Sequence, residues 1–162
     1  MQEKPTQETI DQWHRWFAVE CNNRVWNLAA KPDRGPEENR EMLNAAYTAA
    51  FHWSKIGQPI NNARADLTLA QAHVLLGQGE QALHYAQRCL AFFESHASED
   101  WDLAFAHAAV AHAAAVTGDA DLYAKHYALA EQLGQAIQDA EDRAVFAEEF
   151  ARVPKTVRGD RP

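Results

Sequence analysis

The stretch ARADLTLAQAHVLLGQG, Ala63 to Gly79, returns in register as AFAHAAVAHAAAVTGDA, Ala104 to Ala120, and this pair decides how the chain is read. Gly118 follows Gly77 by 41 residues, and the same shift lays Leu69 on Val110, Ala70 on Ala111, Leu75 on Val116 and Cys89 on Ala130. A period of roughly 20 to 50 residues marks an architecture of stacked repeats. Residues 63–130 thus hold one helical hairpin written twice, and the flanking segments read as helices that cover its two ends.

The apolar spacing inside each copy is helical. Leu67, Ala70, Val74 and Leu75 recur at steps of three, four and one, and after Gly77 so do Ala82, Tyr85, Ala86, Cys89, Leu90 and Phe93. That is a helix with one buried stripe. The linker Gly77-Gln78-Gly79 is too short for anything but an antiparallel neighbour. Gly118-Asp119 does the same in the second copy, with Asp119 the expected N-cap of the helix that follows.

In these features the chain resembles the tetratricopeptide repeat (TPR) family. The likeness is carried by Leu69-Ala70 and Val110-Ala111 in the first helix of each unit, and by Ala82 with Cys89, and Tyr123 with Tyr127 and Ala130, in the second. The chain departs from the family in having His73 and Ala114 at the first-helix Tyr position and Asp66 and His107 at the Trp position. It also lacks a closing Pro, and its period exceeds the family's roughly 34 residues. The resemblance implies a TPR-like, all-α fold: antiparallel hairpins stacked as a short right-handed solenoid of about seven helices, over residues 8–153. It further implies a ligand in the concave groove lined by the first helix of each pair. Carried over residue by residue, that groove takes Arg64, Thr68, Gln71 and Leu75 from one unit and Phe105, Ala109, His112 and Val116 from the next. Arg64 is suited to a bidentate hold on a carboxylate, Gln71 and His112 to hydrogen-bonding a peptide backbone, and Phe105 to an apolar contact. The alternative for the same residues is internal, with Arg64 paired to Asp66 or Glu80 and Phe105 in the core. A fainter similarity, of Glu20-Cys21-Asn22-Asn23-Arg24-Val25-Trp26 and His52-Trp53 to uncharacterised bacterial proteins, brings no activity with it.

Composition bounds the rest. A chain of 162 residues, 47% hydrophobic and 23% charged, has the makings of one globular domain with a proper core. Much of the apolar fraction is alanine, which has the best intrinsic helix propensity. The net charge of −8 and pI near 5.4 give an average surface that repels a phosphate backbone, so no nucleic acid is expected as partner. No apolar run reaches the roughly 18 to 20 residues of a membrane span, and the N-terminus lacks the pattern of a signal peptide. Cys21 and Cys89, both in apolar helical stripes, read as core residues in a reducing compartment, so cytoplasm is the expected location.

Residues 1–7 are expected to be disordered, and the first helix to run from about Glu8 to Ala30. Its apolar residues form two stripes, Trp13, Phe17, Cys21 and Leu28 beside Trp16, Val19, Trp26 and Ala30, which predicts cover on more than one side. Asn23 falls within the second stripe. It reads either as a buried amide tied to a neighbouring backbone or, with Glu20 and Asn27, as part of a polar strip facing a ligand. Pro36 opens a second helix buried through Met42, Ala46, Ala49, Trp53 and Ile56, with His52 at the edge of that face. Pro59 opens the third helix, Ser98 is the expected cap of the fifth, and Asp139 caps a last helix. Gly134 reads either as the stop of the sixth helix or as a glycine tolerated inside it. Residues 154–162 are expected to be a flexible tail, and the basic cluster Arg152, Lys155, Arg158 and Arg161 at and before it reads as solvated.

No sequence pattern for catalysis stands out. No two of the eight histidines are three or four apart, no Glu lies three before a His, and Cys-x-x-Cys, phosphate-cradling glycine loops and His-Glu-x-x-His are absent. No metal or other cofactor is expected from these spacings, although ligands converging from separate helices, such as Glu20, His52, His73 and His112, are not visible to such a test. Two readings of different class remain. One is a protein interaction module that holds a peptide or partner segment in its groove, a second copy of the chain being a further candidate partner. The other is an enzyme or a small-molecule or metal binder with an enclosed polar pocket where Asn23, His52, Trp53 and His73 converge. The candidate binding residues are accordingly Arg64, Gln71, Phe105, His112, Asn23, Asn27 and His52.

Overall fold

The computed structural model describes residues 4–157, which form seven α-helices and, among the described residues, no strand. These are α1 (Gln7–Ala29), α2 (Pro36–Ile56), α3 (Pro59–Leu75), α4 (Gly79–Ser95), α5 (Asp100–Thr117), α6 (Ala120–Ala136) and α7 (Ala140–Phe150). The helix starts follow from local chemistry. Thr6, Asp119 and Asp139 accept backbone N–H groups of the turns they open, and Pro36 and Pro59 stand at first helical positions where no N–H is needed.

The duplication is visible in the element bounds. A shift of 41 residues carries the start of α3 onto that of α5, and both ends of α4 onto both ends of α6. Gly77 and Gly118 are the two described glycines with positive φ, 71° and 87°, a conformation only glycine adopts without strain. After each, the same closing bond is made: Gln78 N–H donates to the His73 carbonyl at 2.9 Å, and Asp119 N–H to the Ala114 carbonyl at 3.0 Å.

The helices pack in sequence, each on the next. In addition α1 packs on α3, α3 on α5 and α5 on α7. The odd-numbered helices therefore form one layer in which each packs on the next, while α2 and α4 meet through side chains, the Tyr85 hydroxyl lying 3.5 Å from that of Tyr47. Three apolar clusters sit at successive junctions, one around Leu28, Met42 and Leu69, one around Cys89, Phe93 and Val110, and one around Ala130, Ile137 and Phe146. α5 lies between neighbours on nearly all sides, and its alanines let them approach closely.

Several local expectations are corrected. α1 is not covered on two sides: Trp13 is 51% and Trp16 59% exposed, and Phe17 and Val19 are exposed as well. The reason is that α1 is the first of the sequentially packed helices, with α2 and α3 as its neighbours among the described residues. Its buried residues, Ala18, Val25, Leu28 and Ala29, lie mostly in its C-terminal half. Asn23 is exposed rather than buried. The cap of α5 is Glu99, not Ser98, and Gly134 lies inside α6. α1 is capped by Thr6 and begins at Gln7, while residues 1–3 lie outside the described residues. After α7 the chain folds back, with Val153 buried and the Pro154 carbonyl accepting the Tyr123 hydroxyl at 2.7 Å; residues 158–162, with Arg158 and Arg161, lie outside the described residues. Both cysteines are free, and burial pushes the Cys89 thiol well above its ordinary range.

Gly134 is where α6 receives α7. A Cβ added there would fall inside the van der Waals envelope of the buried Phe146 ring. Gly134→Ala should therefore destabilise the fold by about 1–2 kcal/mol, despite alanine's better helix propensity. In urea unfolding, Gly134→Ala combined with Phe146→Leu should cost less than the two single changes added together.

Candidate functional site

All four odd-numbered helices line one cleft. α3 contributes Arg64, Leu67 and Thr68, α5 contributes Trp101 and Phe105, α1 contributes Asn22 and Trp26, and α7 contributes Asp142, Val145 and Glu149. Their spacing along each helix, in steps of three and four, is what keeps them on one face. The cavity they enclose is about 420 Å³. It continues as a narrower hollow that shares Trp26, Leu67, Phe105 and Glu149 and adds Gln71, Ala109 and His112.

Arg64 is spent within the fold. Its Nε and Nη2 donate to the two carboxylate oxygens of Asp102 at 3.0 and 2.8 Å, and its guanidinium lies 4.4 Å from the centroid of the Trp101 ring. The Asp102 side chain is 0% exposed and that of Arg64 34%. The hydrogen bonds it donates to Asp102 hold the guanidinium's pKa above its usual value. Neither Asp66 nor Glu80 is the partner; Asp66 instead meets Arg88 at 3.3 Å. Arg64 thus shapes the cleft wall and is not free to hold a ligand carboxylate. Thr68 donates its hydroxyl to Asn22 Oδ1 at 2.8 Å, tying α3 to α1.

The far end of the cleft is different. His112 is 8% exposed, and among the described residues its ring makes no hydrogen bond. Burial alone pulls its pKa down to about 4, so the ring is neutral at pH 7. Gln71 stands beside it on the same hollow. Glu149, which borders both parts of the cleft, has its pKa raised by burial against the opposing pull of Arg152, 3.1 Å away.

The remaining candidates lie elsewhere. Asn23 and Asn27 are exposed on α1, and it is Asn22 that faces the cleft. His52 pairs with His14, Nδ1 to Nδ1 at 2.7 Å, and stacks on Phe17. Burial, then the proximity of His14, lowers its pKa. His73 is held between the Tyr47 hydroxyl at 2.9 Å and Gln78 Oε1 at 2.6 Å and stacks on Tyr85. His52 and His73 are thus engaged with separate partners and Asn23 faces solvent, so the enclosed pocket expected from Asn23, His52, Trp53 and His73 does not form. Among the described residues no three His, Cys, Asp or Glu side chains are grouped as a metal ion requires, and no helix is long and apolar enough to cross a membrane.

No family model matches the chain, and no curated protein or solved structure matches it either.

Two predictions follow from these polar groups. Asp102→Ala leaves Arg64 without its carboxylate and should cost roughly 2–4 kcal/mol, while Arg64→Met with Asp102→Leu should cost less than the sum of the single changes. A double-mutant cycle in urea measures this. For His112, the folded pKa lies below the unfolded value of about 6.5, so the unfolded chain takes up the proton first. The stability it secures is complete above about pH 6.5 and is lost as pH falls towards about 4. His107 and His126, also lowered by burial, act in the same direction. Urea midpoints should therefore drop between pH 7 and pH 4.5, and His112→Gln should flatten that drop by up to about 3 kcal/mol.

Proposed function

We propose that this protein is a binding module without catalytic chemistry, a TPR-like stack of helical hairpins that takes a short segment of another protein between α1, α3, α5 and α7. The observation that carries this reading is the cleft itself. It is an apolar groove along the inner layer whose deep polar groups, His112 and Gln71, make no bond within the described chain. Backbone packing of each odd-numbered helix on the next, with α2 and α4 meeting through the Tyr47 and Tyr85 side chains, supports a stack that curves towards the cleft. The equal 41-residue shift of both helices supports a repeat origin.

Catalysis is disfavoured by the same groups. Neutral His112, with a pKa near 4, is a weak base at pH 7. The Thr68 hydroxyl gives its proton to an amide oxygen of Asn22 and faces no base. A compact small molecule is the second reading, favoured by a cavity volume of about 420 Å³, within the ~300–1,000 Å³ typical of such sites.

Selection from a random peptide library against the immobilised protein should enrich a common short motif. Its affinity should fall at least about tenfold in Phe105→Ala, the loss of a buried aromatic contact, and stay unchanged in His52→Ala. An enriched motif indifferent to Phe105, or none at all, would overturn the segment reading. A small molecule that raises the melting temperature in a wild-type protein that enriches no peptide would favour the second.

A further inference from the structure

Resting on the reading of the cleft as a segment-binding groove, we infer that the segment presents a lysine or arginine side chain, seated against Trp26 and Phe105 with its cation towards Asp142 and Glu149. The charges around the cleft carry this inference. Arg64, the one basic residue in the wall, is neutralised by the fully buried carboxylate of Asp102. A ligand carboxylate would have to share a guanidinium whose charge Asp102 already balances. Just past the end of α7, the Arg152 guanidinium serves two carboxylates of that helix, Glu148 at 3.5 Å and Glu149 at 3.1 Å. Asp142 has no basic group within ion-pair distance among the described residues. The uncompensated charge facing a ligand is therefore negative.

The walls suit the same guest. The cleft already seats one cation on an aromatic face, Arg64 on Trp101 at 4.4 Å, while Trp26 and Phe105 carry none. Aromatic faces attract ammonium and guanidinium groups, the more so where water is partly excluded. Nine-tenths buried and without a hydrogen-bond partner in the described chain, the neutral His112 ring adds a lone pair able to accept from an N–H, and the Gln71 carbonyl a second acceptor. A carboxylate guest could take the imidazole N–H and the Gln71 amide N–H, but would do so beside Glu149. An alkyl guest would displace water from these groups without replacing its hydrogen bonds.

The test uses the whole chain and blocked pentapeptides of sequence Ala-Leu-X-Leu-Ala, where X is lysine, arginine, norleucine or glutamate. Binding is read from tryptophan fluorescence and calorimetry at low salt. The lysine and arginine peptides should bind about tenfold more tightly than the norleucine peptide, glutamate should bind least, and salt should erode the difference. Asp142 is exposed and is bonded to its own helix start through the backbone alone, so Asp142→Lys should fold as the parent does. That variant should bind the lysine peptide no more tightly than the norleucine peptide; a lysine preference that persists in it overturns the role given to Asp142. Equal affinity for all four peptides overturns the cationic preference and leaves the groove reading standing. Binding by none of them at millimolar concentration overturns both. Agmatine or tetramethylammonium binding as tightly as the lysine peptide overturns the segment as the source of the charge.

Discussion

A carboxylate that sees no water is the constraint on which the arrangement of the inner layer rests. Asp102 sits in the first turn of α5 with its side chain fully buried, and an isolated charge there would be prohibitively costly. It is tolerable because α3 brings Arg64 to both of its oxygens and because the Glu99 N–H donates to it at 3.2 Å. Such a pair adds little net stability over an apolar substitute, but it admits few alternatives of register. It fixes how far α3 has slid along α5, and hence that Arg64 lies over the Trp101 ring and that Leu67 and Phe105 line the same cleft.

The repeat shows where this device came from in structural terms. In the first copy Asn61 reaches back to the Gln58 N–H at 3.0 Å; in the second, Asp102 reaches back to the Glu99 N–H. These are equivalent positions under the 41-residue shift, one neutral and one charged. The neutral version closes its own helix start and asks nothing of its neighbours. The charged version needs a cation, and Arg64 supplies it from the preceding unit. The position equivalent to Arg64 in the second copy is Phe105, so the two copies give the cleft an occupied guanidinium at one station and an aromatic ring at the next. The groove is chemically asymmetric although its scaffold is repeated.

Helices, turns and repeat shift were legible because each has a local cause: apolar period, positive-φ glycine, proline or aspartate at a helix start. Arg64, Gln71, Phe105 and His112 follow from the groove positions that the family resemblance implies, and all four do line the cleft or its continuation. The other two walls were not legible. Asn22 and Trp26 come from the first helix and Asp142, Val145 and Glu149 from the last, and no spacing within a helix tells which neighbour its face meets. An error of one residue on α1 turns a side chain by about 100°, which is the difference between exposed Asn23 and cleft-lining Asn22. The tryptophans of α1 misled for a related reason. Apolar character reports what a helix is able to bury, whereas what it does bury depends on having a neighbour there, and the N-terminal half of an end helix has few.

The histidines make the cleft stand apart from the rest of the interior. An alanine-rich packing of helices leaves few side chains long enough to bridge between them, and imidazoles take that part. His107 and His126 join α5 to α6, Nδ1 to Nδ1 at 2.9 Å, and His14 and His52 join α1 to α2 in the same manner. Each such bond requires one ring to donate and the other to accept, so each pair is held in complementary tautomers and is weakened when both rings protonate. His73 is satisfied on both nitrogens by Tyr47 and Gln78. In this company His112, as buried as the others yet bonded to nothing in the described chain, is the exception. Among the described residues no buried side-chain nitrogen or oxygen lacks a partner, so the ring nitrogens of His112 reach the solvent of the cleft. The other interior imidazoles are held by their neighbours, whereas His112 turns its polar edge to the end of an apolar cleft, which sets that end apart chemically from the packing around it.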